Sequence, residues 1–241
     1  MPERATTLVI GGNGEIGSAI RDSLESAGFL VLSTHRNLPT QERRDELGRL
    51  LQFALDVTDR ASVRKLFEEV DGEFGPVYGL VYVAGYMNDK PIAFLQDDDW
   101  QRVIDVNLTA AFTCLRAAAR PMMVNGQGRV VLVGSVSSRM GIPGQAAYSA
   151  SKAGLEALSR VAALEFGRYG ITCNVVAPGA IDSGMFINVA EPAVLKIVQR
   201  TALRRVGTPN DVAAMVAFLL GADAAYVTGQ TMVVDGGLLA S

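Results

Sequence analysis

The chain has 241 residues, 49% of them hydrophobic and 20% charged, with a formal net charge of -3. That length and apolar content suit one large α/β domain, and the mildly acidic balance argues against a nucleic-acid binder, which carries a basic stripe. The two cysteines, Cys114 and Cys173, lack motif spacing and read as buried free thiols, while a lone histidine, His35, excludes a multi-histidine metal site and argues against a Ser-His-Asp hydrolase.

The N-terminal residues lead straight into a strand-like segment without a signal peptide. No apolar run reaches the ~18–20 residues of a membrane span, so a soluble cytoplasmic protein is expected. In chain order, short β-branched apolar runs alternate with longer stretches of helical period. Strands are expected at 7–10, 30–33, 53–55, 79–83, 129–133, 172–176 and 231–234, and helices at 17–27, 61–74, 100–124, 147–169 and 210–220. Strands that are apolar almost throughout are those covered on both faces. The alternation therefore predicts an α/β, doubly wound, mostly parallel seven-stranded sheet with helices on both sides, a single Rossmann-type domain over 1–241. The stretch 181–203 breaks the alternation after Pro178-Gly179. An insertion there reads as a substrate lid, with an ordinary surface excursion as the alternative.

The first strand runs into Gly11-Gly12-Asn13-Gly14-Glu15-Ile16-Gly17 and then a helical pattern. Glycines in this place allow a tight turn and bring backbone close to a pyrophosphate, which meets the positive end of the helix dipole. The second strand ends in Ser33-Thr34-His35-Arg36, without the acidic residue that accepts from an NAD ribose 2′-hydroxyl. Thr34 and Arg36 instead suit a 2′-phosphate, which favours NADP(H); a solvated loop arginine is the alternative. Asp56, in Leu55-Asp56-Val57, either reaches the adenine edge or caps the following helix, where Thr58 and Asp59 stand closer.

Ser135 lies just past the fifth expected strand, Tyr148 begins a helix, and Lys152 follows by four residues on the same helical face. Ketone reduction needs a proton delivered to the developing alkoxide. A phenol of ordinary pKa about 10 exchanges poorly near neutrality, and a neighbouring ammonium is expected to lower it. Ser135 would orient the carbonyl. Taken alone, the pair also fits a core aromatic and a solvated lysine.

Three stretches carry a resemblance: Ser135-Val136-Ser137-Ser138 with Gly144-Gln145-Ala146-Ala147-Tyr148-Ser149-Ala150-Ser151-Lys152, Asp105-Val106-Asn107-Leu108, and Asn174-Val175-Val176-Ala177-Pro178-Gly179. With the tail Thr228-Gly229-Gln230 and Asp235-Gly236-Gly237, the chain resembles the short-chain dehydrogenase/reductase family from about Leu8 to Gly237. The resemblance implies catalytic roles for Asn107, Ser135, Tyr148 and Lys152, with Asn107 holding a water in a proton relay. It implies a cofactor shell of Gly11, Asn13, Gly14, Glu15, Ile16, Gly17, His35, Arg36, Asp56, Val57, Ala84, Gly85, Tyr148, Lys152, Pro178, Gly179, Ile181 and Ser183. Two departures stand out: Glu15 where the family has glycine, and Val83 where it has asparagine, for which a local rearrangement is expected.

Within the family the chain looks most like the 3-oxoacyl-[acyl-carrier-protein] reductases, including those of polyketide type. That implies NADPH, a substrate carried on acyl carrier protein, and a homotetramer or homodimer. The apolar side chains Met185, Phe186, Ile187, Val189, Val194, Leu195 and Ile197 of the lid favour an acyl chain over a polyol. Arg116, Arg120, Arg160 and Arg168 either meet an acidic carrier or form solvated helix faces. The alternatives are a relative acting on a free alcohol, sugar or steroid, and a non-catalytic NADP-binding sensor or scaffold.

Overall fold

The computed structural model describes residues 5–37, 51–184 and 190–240. Seven strands form one sheet: β1 (Thr6–Ile10), β2 (Leu30–His35), β3 (Leu51–Ala54), β4 (Gly79–Tyr82), β5 (Gly128–Val133), β6 (Ile171–Pro178) and β7 (Thr231–Val234). Their order is β3-β2-β1-β4-β5-β6-β7, and every neighbouring pair is parallel. The order reverses between β1 and β4, so their carboxyl ends open a crevice, the place where such sheets bind ligands.

Apolar strands need cover on both faces, and two clusters provide it. On one face α1 (Glu15–Ser26) and α7 (Pro209–Leu220) bring Ile20, Leu24, Val212 and Val216 against Val9, Val81 and Val131. On the other, α2 (Arg60–Phe74), α4 (Ala110–Asn125) and α5 (Ala146–Phe166) pack Leu66, Phe67, Leu115 and Leu155 against Leu8, Leu80 and Leu132.

The sheet matches the sequence expectation, and the difference lies in the helix expected over 100–124. It is α3 (Asp97–Ile104), then a single π turn at Asp105–Thr109, then α4. A π turn inserts one residue without breaking the helix, so an i, i+3, i+4 pattern runs through it unmarked, and such turns frequently sit at functional sites. Within the expected lid, the described residues include α6 (Glu191–Arg200), which buries none of its side chains. Met185, Phe186, Ile187 and Val189 lie outside the described residues.

The β1–α1 loop is packed against itself. A Cβ on Gly17 would lie 2.3 Å from the Gly11 carbonyl oxygen, so α1 approaches this loop closely only because residue 17 has no side chain. Gly17→Ala is expected to destabilise the protein by about 1–3 kcal/mol, the usual range for overpacking. It would also weaken nucleotide binding by shifting the loop. An unchanged melting temperature together with unchanged NADPH affinity would contradict this close approach.

Candidate active site

The crevice is a cleft of about 900 Å³ lined by the β1–α1 loop, the ends of β2, β3 and β4, the first residues of the π turn, and Ser183-Gly184. Gly11, Asn13, Gly14, Glu15, Ile16, Gly17, His35, Arg36, Asp56, Val57, Ala84, Gly85 and Ser183 all line it. Pro178, Gly179 and Ile181 do not line it; they form the end of β6 and the turn beyond, where Gly179 N–H donates to the Val234 carbonyl (2.9 Å) and Ile181 is bridged to Gly207.

Local bonds explain this shape. Gly11 N–H donates to Thr34 Oγ1 (3.2 Å), and Gln52 Nε2 donates to Asn13 Oδ1 (2.8 Å), which ties the loop to β2 and β3. Thr34 is thus engaged with the loop as an acceptor, and it lines the cleft with its hydroxyl proton still to donate. Gly14 caps α1 with no side-chain bond, and a Cβ there would meet nothing within 4 Å. The first amides of α1 therefore open on the cleft with the positive end of the helix dipole, which suits a pyrophosphate.

Arg36 is an exposed cation at the end of β2, 3.8 Å from the Asp56 carboxylate. Asp56 accepts from the Thr58 hydroxyl (2.6 Å) and amide (2.9 Å), bonds that with Arg36 hold its carboxyl below the usual range. The cap of α2 belongs to Asp59, which accepts from Ala61 N–H (2.9 Å), so Asp56 is left facing the cleft. His35 Nδ1 is buried without a hydrogen-bond partner. An uncapped helix start, a side-chain-free approach at Gly14 and an exposed guanidinium form a donor set that fits a 2′-phosphorylated dinucleotide.

Past the end of β5, Ser135, Tyr148 and Lys152 come together; none of the three lines the cleft. Lys152 is 3% exposed and its Nζ donates to the Val133 carbonyl (2.8 Å), while lying 5.5 Å from the centre of the Tyr148 ring. Burial brings its ammonium down to about 8. Burial also pushes the Tyr148 phenol up to about 12, with Ser135 pulling the other way and the charge of Asp89 adding to the rise. The expected lowering of the phenol by Lys152 is therefore not seen. The ammonium is bonded to a backbone carbonyl instead of the phenol oxygen, and desolvation outweighs its field.

Ser135 stands just past β5 and accepts from Ser137 N–H at 3.2 Å, which leaves its own hydroxyl proton for the Tyr148 phenol, the bond that pulls the phenol down. Asn107 sits in the π turn, fully buried. Its Oδ1 accepts from Tyr86 N–H (2.7 Å), and its Nδ2 donates to the Tyr86 carbonyl (2.9 Å) and Ser151 Oγ (3.0 Å). This docks the π turn onto both the chain leaving β4 and α5. The contact is close because Gly154 has no side chain: a Cβ there would lie 2.6 Å from Leu108 Cδ2. Val83, at the variant family position, packs among the apolar side chains beside β4, and its amide donates to the Ile10 carbonyl (3.0 Å).

Sequence reasoning missed Tyr86 and Arg102, which line the cleft with the guanidinium 4.4 Å from the ring centre. It also missed Glu156, taken up below. No motif spacing marks these residues. Among the described residues no three His, Cys, Asp or Glu side chains gather as a metal site, and no helix is long and apolar enough to cross a membrane.

The buried ammonium gives a stability test. Its pKa of about 8 lies below the ordinary 10.5, so between these values the unfolded chain binds more protons and stability rises with pH. Below 8 the burial penalty is present in full. Lys152→Met removes ~3 kcal/mol of it at pH 7, less about 1 kcal/mol for the lost bond to Val133. The variant should be more stable than the parent at pH 7 in urea unfolding and lose that advantage by pH 10.5. An equal difference at both pH values would refute the assignment.

Comparison with known proteins agrees with this geometry. A family model described as enoyl-(acyl carrier protein) reductase matches residues 12–239. The chain is 39% identical over 233 residues to the 3-oxoacyl-[acyl-carrier-protein] reductase MabA of Mycobacterium tuberculosis, covering 97% of this chain and 92% of MabA. It is 37% identical over 238 residues to the 3-oxoacyl-[acyl-carrier-protein] reductase FabG of Escherichia coli, covering 98% of each. Among solved structures, a gluconate 5-dehydrogenase from Burkholderia cenocepacia in complex with NADP and tartrate superposes with a TM-score of 0.92 at 30% identity, covering 98% of this chain and 96% of that one. A putative gluconate dehydrogenase from Agrobacterium tumefaciens does so with a TM-score of 0.92 at 33% identity, covering 99% and 96%. With its parallel sheet, its uncapped first helix and its serine-tyrosine-lysine cluster, the chain belongs to the short-chain dehydrogenase/reductase family.

Proposed function

We propose that the protein uses NADPH to reduce a 3-oxoacyl thioester, carried on acyl carrier protein, to the 3-hydroxyacyl form. The observation that carries the chemistry is the convergence of Ser135, Tyr148 and Lys152 past the end of β5. The substrate class rests on relatives of that name at 37–39% identity over nearly the whole chain.

In this reading the Tyr148 phenol, pushed up to about 12, is fully protonated at neutral pH and holds the proton that the alkoxide needs. Ser135, whose acceptor is engaged by Ser137 N–H, donates to the substrate oxygen and aligns it. Lys152 stabilises the phenolate left behind, at a distance where its charge acts through a dry interior. The bound nicotinamide would supply the hydride. Both amide hydrogens of Asn107 are engaged, so a relay water would have to meet its backbone carbonyl or its remaining Oδ1 lone pair. Arg36, the α1 amides and Ser183 would hold the phosphates, Asp56-Val57 and Ala84-Gly85 would flank the adenosine, and Pro178, Gly179 and Ile181 would face the nicotinamide.

The same reading makes the protein cytoplasmic and a homotetramer or homodimer. Phe112 on α4, Val161 and Leu164 on α5, and Phe218 and Tyr226 around α7 are exposed large apolar side chains, more than an isolated chain leaves uncovered without reason. Arg116, Arg120, Arg160 and Arg168 are exposed, but Arg116 stacks on Phe112 and Arg160 stands one turn from Leu164, so these belong to the faces of the subunit contact rather than to an acidic carrier protein.

The test is NADPH consumption with acetoacetyl-carrier protein, acetoacetyl-coenzyme A and crotonyl-coenzyme A, and NADPH formation from NADP with gluconate. Turnover confined to the 3-oxo thioesters supports the proposal. Turnover confined to the enoyl thioester or the sugar acid overturns the substrate, and none at all would favour a sensor. Tyr148→Phe should cost roughly 10²–10⁴ in kcat with NADPH affinity unchanged. Arg36→Ala should weaken NADPH by about 10–100-fold, as for a lost charged hydrogen bond, and leave NADH nearly untouched. With the ammonium at about 8, kcat/KM for NADPH, which reports the free enzyme, should fall as pH rises above that value.

A further inference from the structure

We infer that Glu156 is a positioning residue for this reaction: from the helix that carries Tyr148 and Lys152, it holds the turn that aims Ser135. The inference rests on the catalytic reading of Ser135 given above.

Tyr148, Lys152 and Glu156 are spaced by four residues along α5 and form one stripe. Glu156 is 8% exposed and faces the 3₁₀ turn Val136–Ser138, which begins at Ser135. Its Oε1 is 2.6 Å from Ser138 Oγ, and its Oε2 is 3.2 Å from an Arg139 guanidinium nitrogen. Burial pushes the carboxyl up, but the bonds from Ser138 and Arg139 with the charges of Arg139 and Arg160 outweigh it, so the group stays an anion.

Ser138 Oγ also lies 2.7 Å from the Ser135 carbonyl, yet a hydroxyl has one proton. The carboxylate is the stronger acceptor and takes it, while the Ser135 carbonyl is satisfied by Ser138 N–H at 3.1 Å. The turn is thereby anchored to α5 through Glu156. Its other end presents Ser137 N–H to Ser135 Oγ, which sets the direction of the hydroxyl proton toward Tyr148. On the strand side, Gly134 N–H donates to the Val176 carbonyl at 2.7 Å. Ser135 is thus fixed from β6 behind and from α5 in front, and the second anchor shares a helix with the proton donor. An ion pair whose arginine is exposed is weak grounds for stability. A link that sets one catalytic side chain against another gives this carboxylate a use.

The experiment is a double-mutant cycle with NADPH and acetoacetyl-coenzyme A, together with NADPH affinity and melting temperature. Glu156→Ala should lower kcat on the order of 10–100-fold, the scale of a small misplacement, with KM and NADPH affinity nearly unchanged. Glu156→Gln, which keeps an acceptor for Ser138, should recover most of it. In a Ser135→Ala background, Glu156→Ala should change kcat less than about twofold, because the group it positions is gone. Losses that multiply in the double variant, or a Glu156→Ala enzyme with parental kcat, overturn the inference. If Glu156→Ala fails to fold, Ser138→Ala takes its place in the same cycle. A Ser135→Ala enzyme with parental kcat would instead overturn the catalytic reading beneath it.

Discussion

A protonated amine removed from water has to be bonded, and Lys152 finds its bond in the carbonyl of Val133, 2.8 Å away at the end of β5. That one contact fixes the rotation and height of α5 over the sheet. Tyr148 is one turn up the same helix, so its position relative to the end of β5, and therefore to Ser135, follows from where the ammonium is seated. The rest of α5 supports this placement. Leu155 is buried in the core, and Ser159 Oγ donates to the Cys173 carbonyl on β6 at 3.0 Å. Desolvating an ammonium is unfavourable, and the protein offsets part of that with core packing and the carbonyl bond. The result is a fixed positive charge beside a phenol that burial alone would keep neutral.

The second constraint is the close approach of the π turn to α5. Gly154 lets Leu108 come near, and this brings Asn107 within reach of Ser151 and the chain after β4. Three segments meet there, two from the connection between β4 and β5 and one, α5, from beyond β5. Tyr82 adds a bond from its hydroxyl to the Val106 carbonyl at 2.5 Å, so the π turn is held by β4 as well as by the amide of Asn107. The side chain of Val83 makes no polar bond at this junction; Tyr82 and Asn107 make the polar links between the end of β4 and the π turn.

The sheet was legible because buried parallel strands write themselves as unbroken β-branched runs, and the loop at 11–17 because tight turns near phosphates require missing side chains. Tyr148 and Lys152 were legible as a stripe of period four. The π turn was not, since inserting one residue leaves the apolar period of the flanking helices intact. Glu156 was not, because its partners Ser138 and Arg139 lie 18 and 17 residues away across an irregular turn. That Thr34 also braces the glycine loop, by accepting from the Gly11 amide, was not legible, because only the pairing between β1 and β2 brings the two together.

The cleft and the cluster past β5 solve opposite electrostatic problems. At the cleft, charge is kept near water: Arg36 and Asp56 are exposed, face each other loosely, and can exchange partners when a phosphate arrives at little desolvation cost. At the cluster, charge is kept dry, where a field loses little to solvent and a phenol stays protonated. A ligand that spans both must be an anion at one end and a neutral, polarisable group at the other. The division also explains why the chain uses arginine at the rim, where a planar fork meets phosphate, and lysine inside, where a compact ammonium fits a single carbonyl. Exchanging the two would leave a guanidinium with unmet donors in the core and a strongly hydrated point charge at the rim. The arrangement of these two cations, more than the sheet itself, restricts what the site can hold.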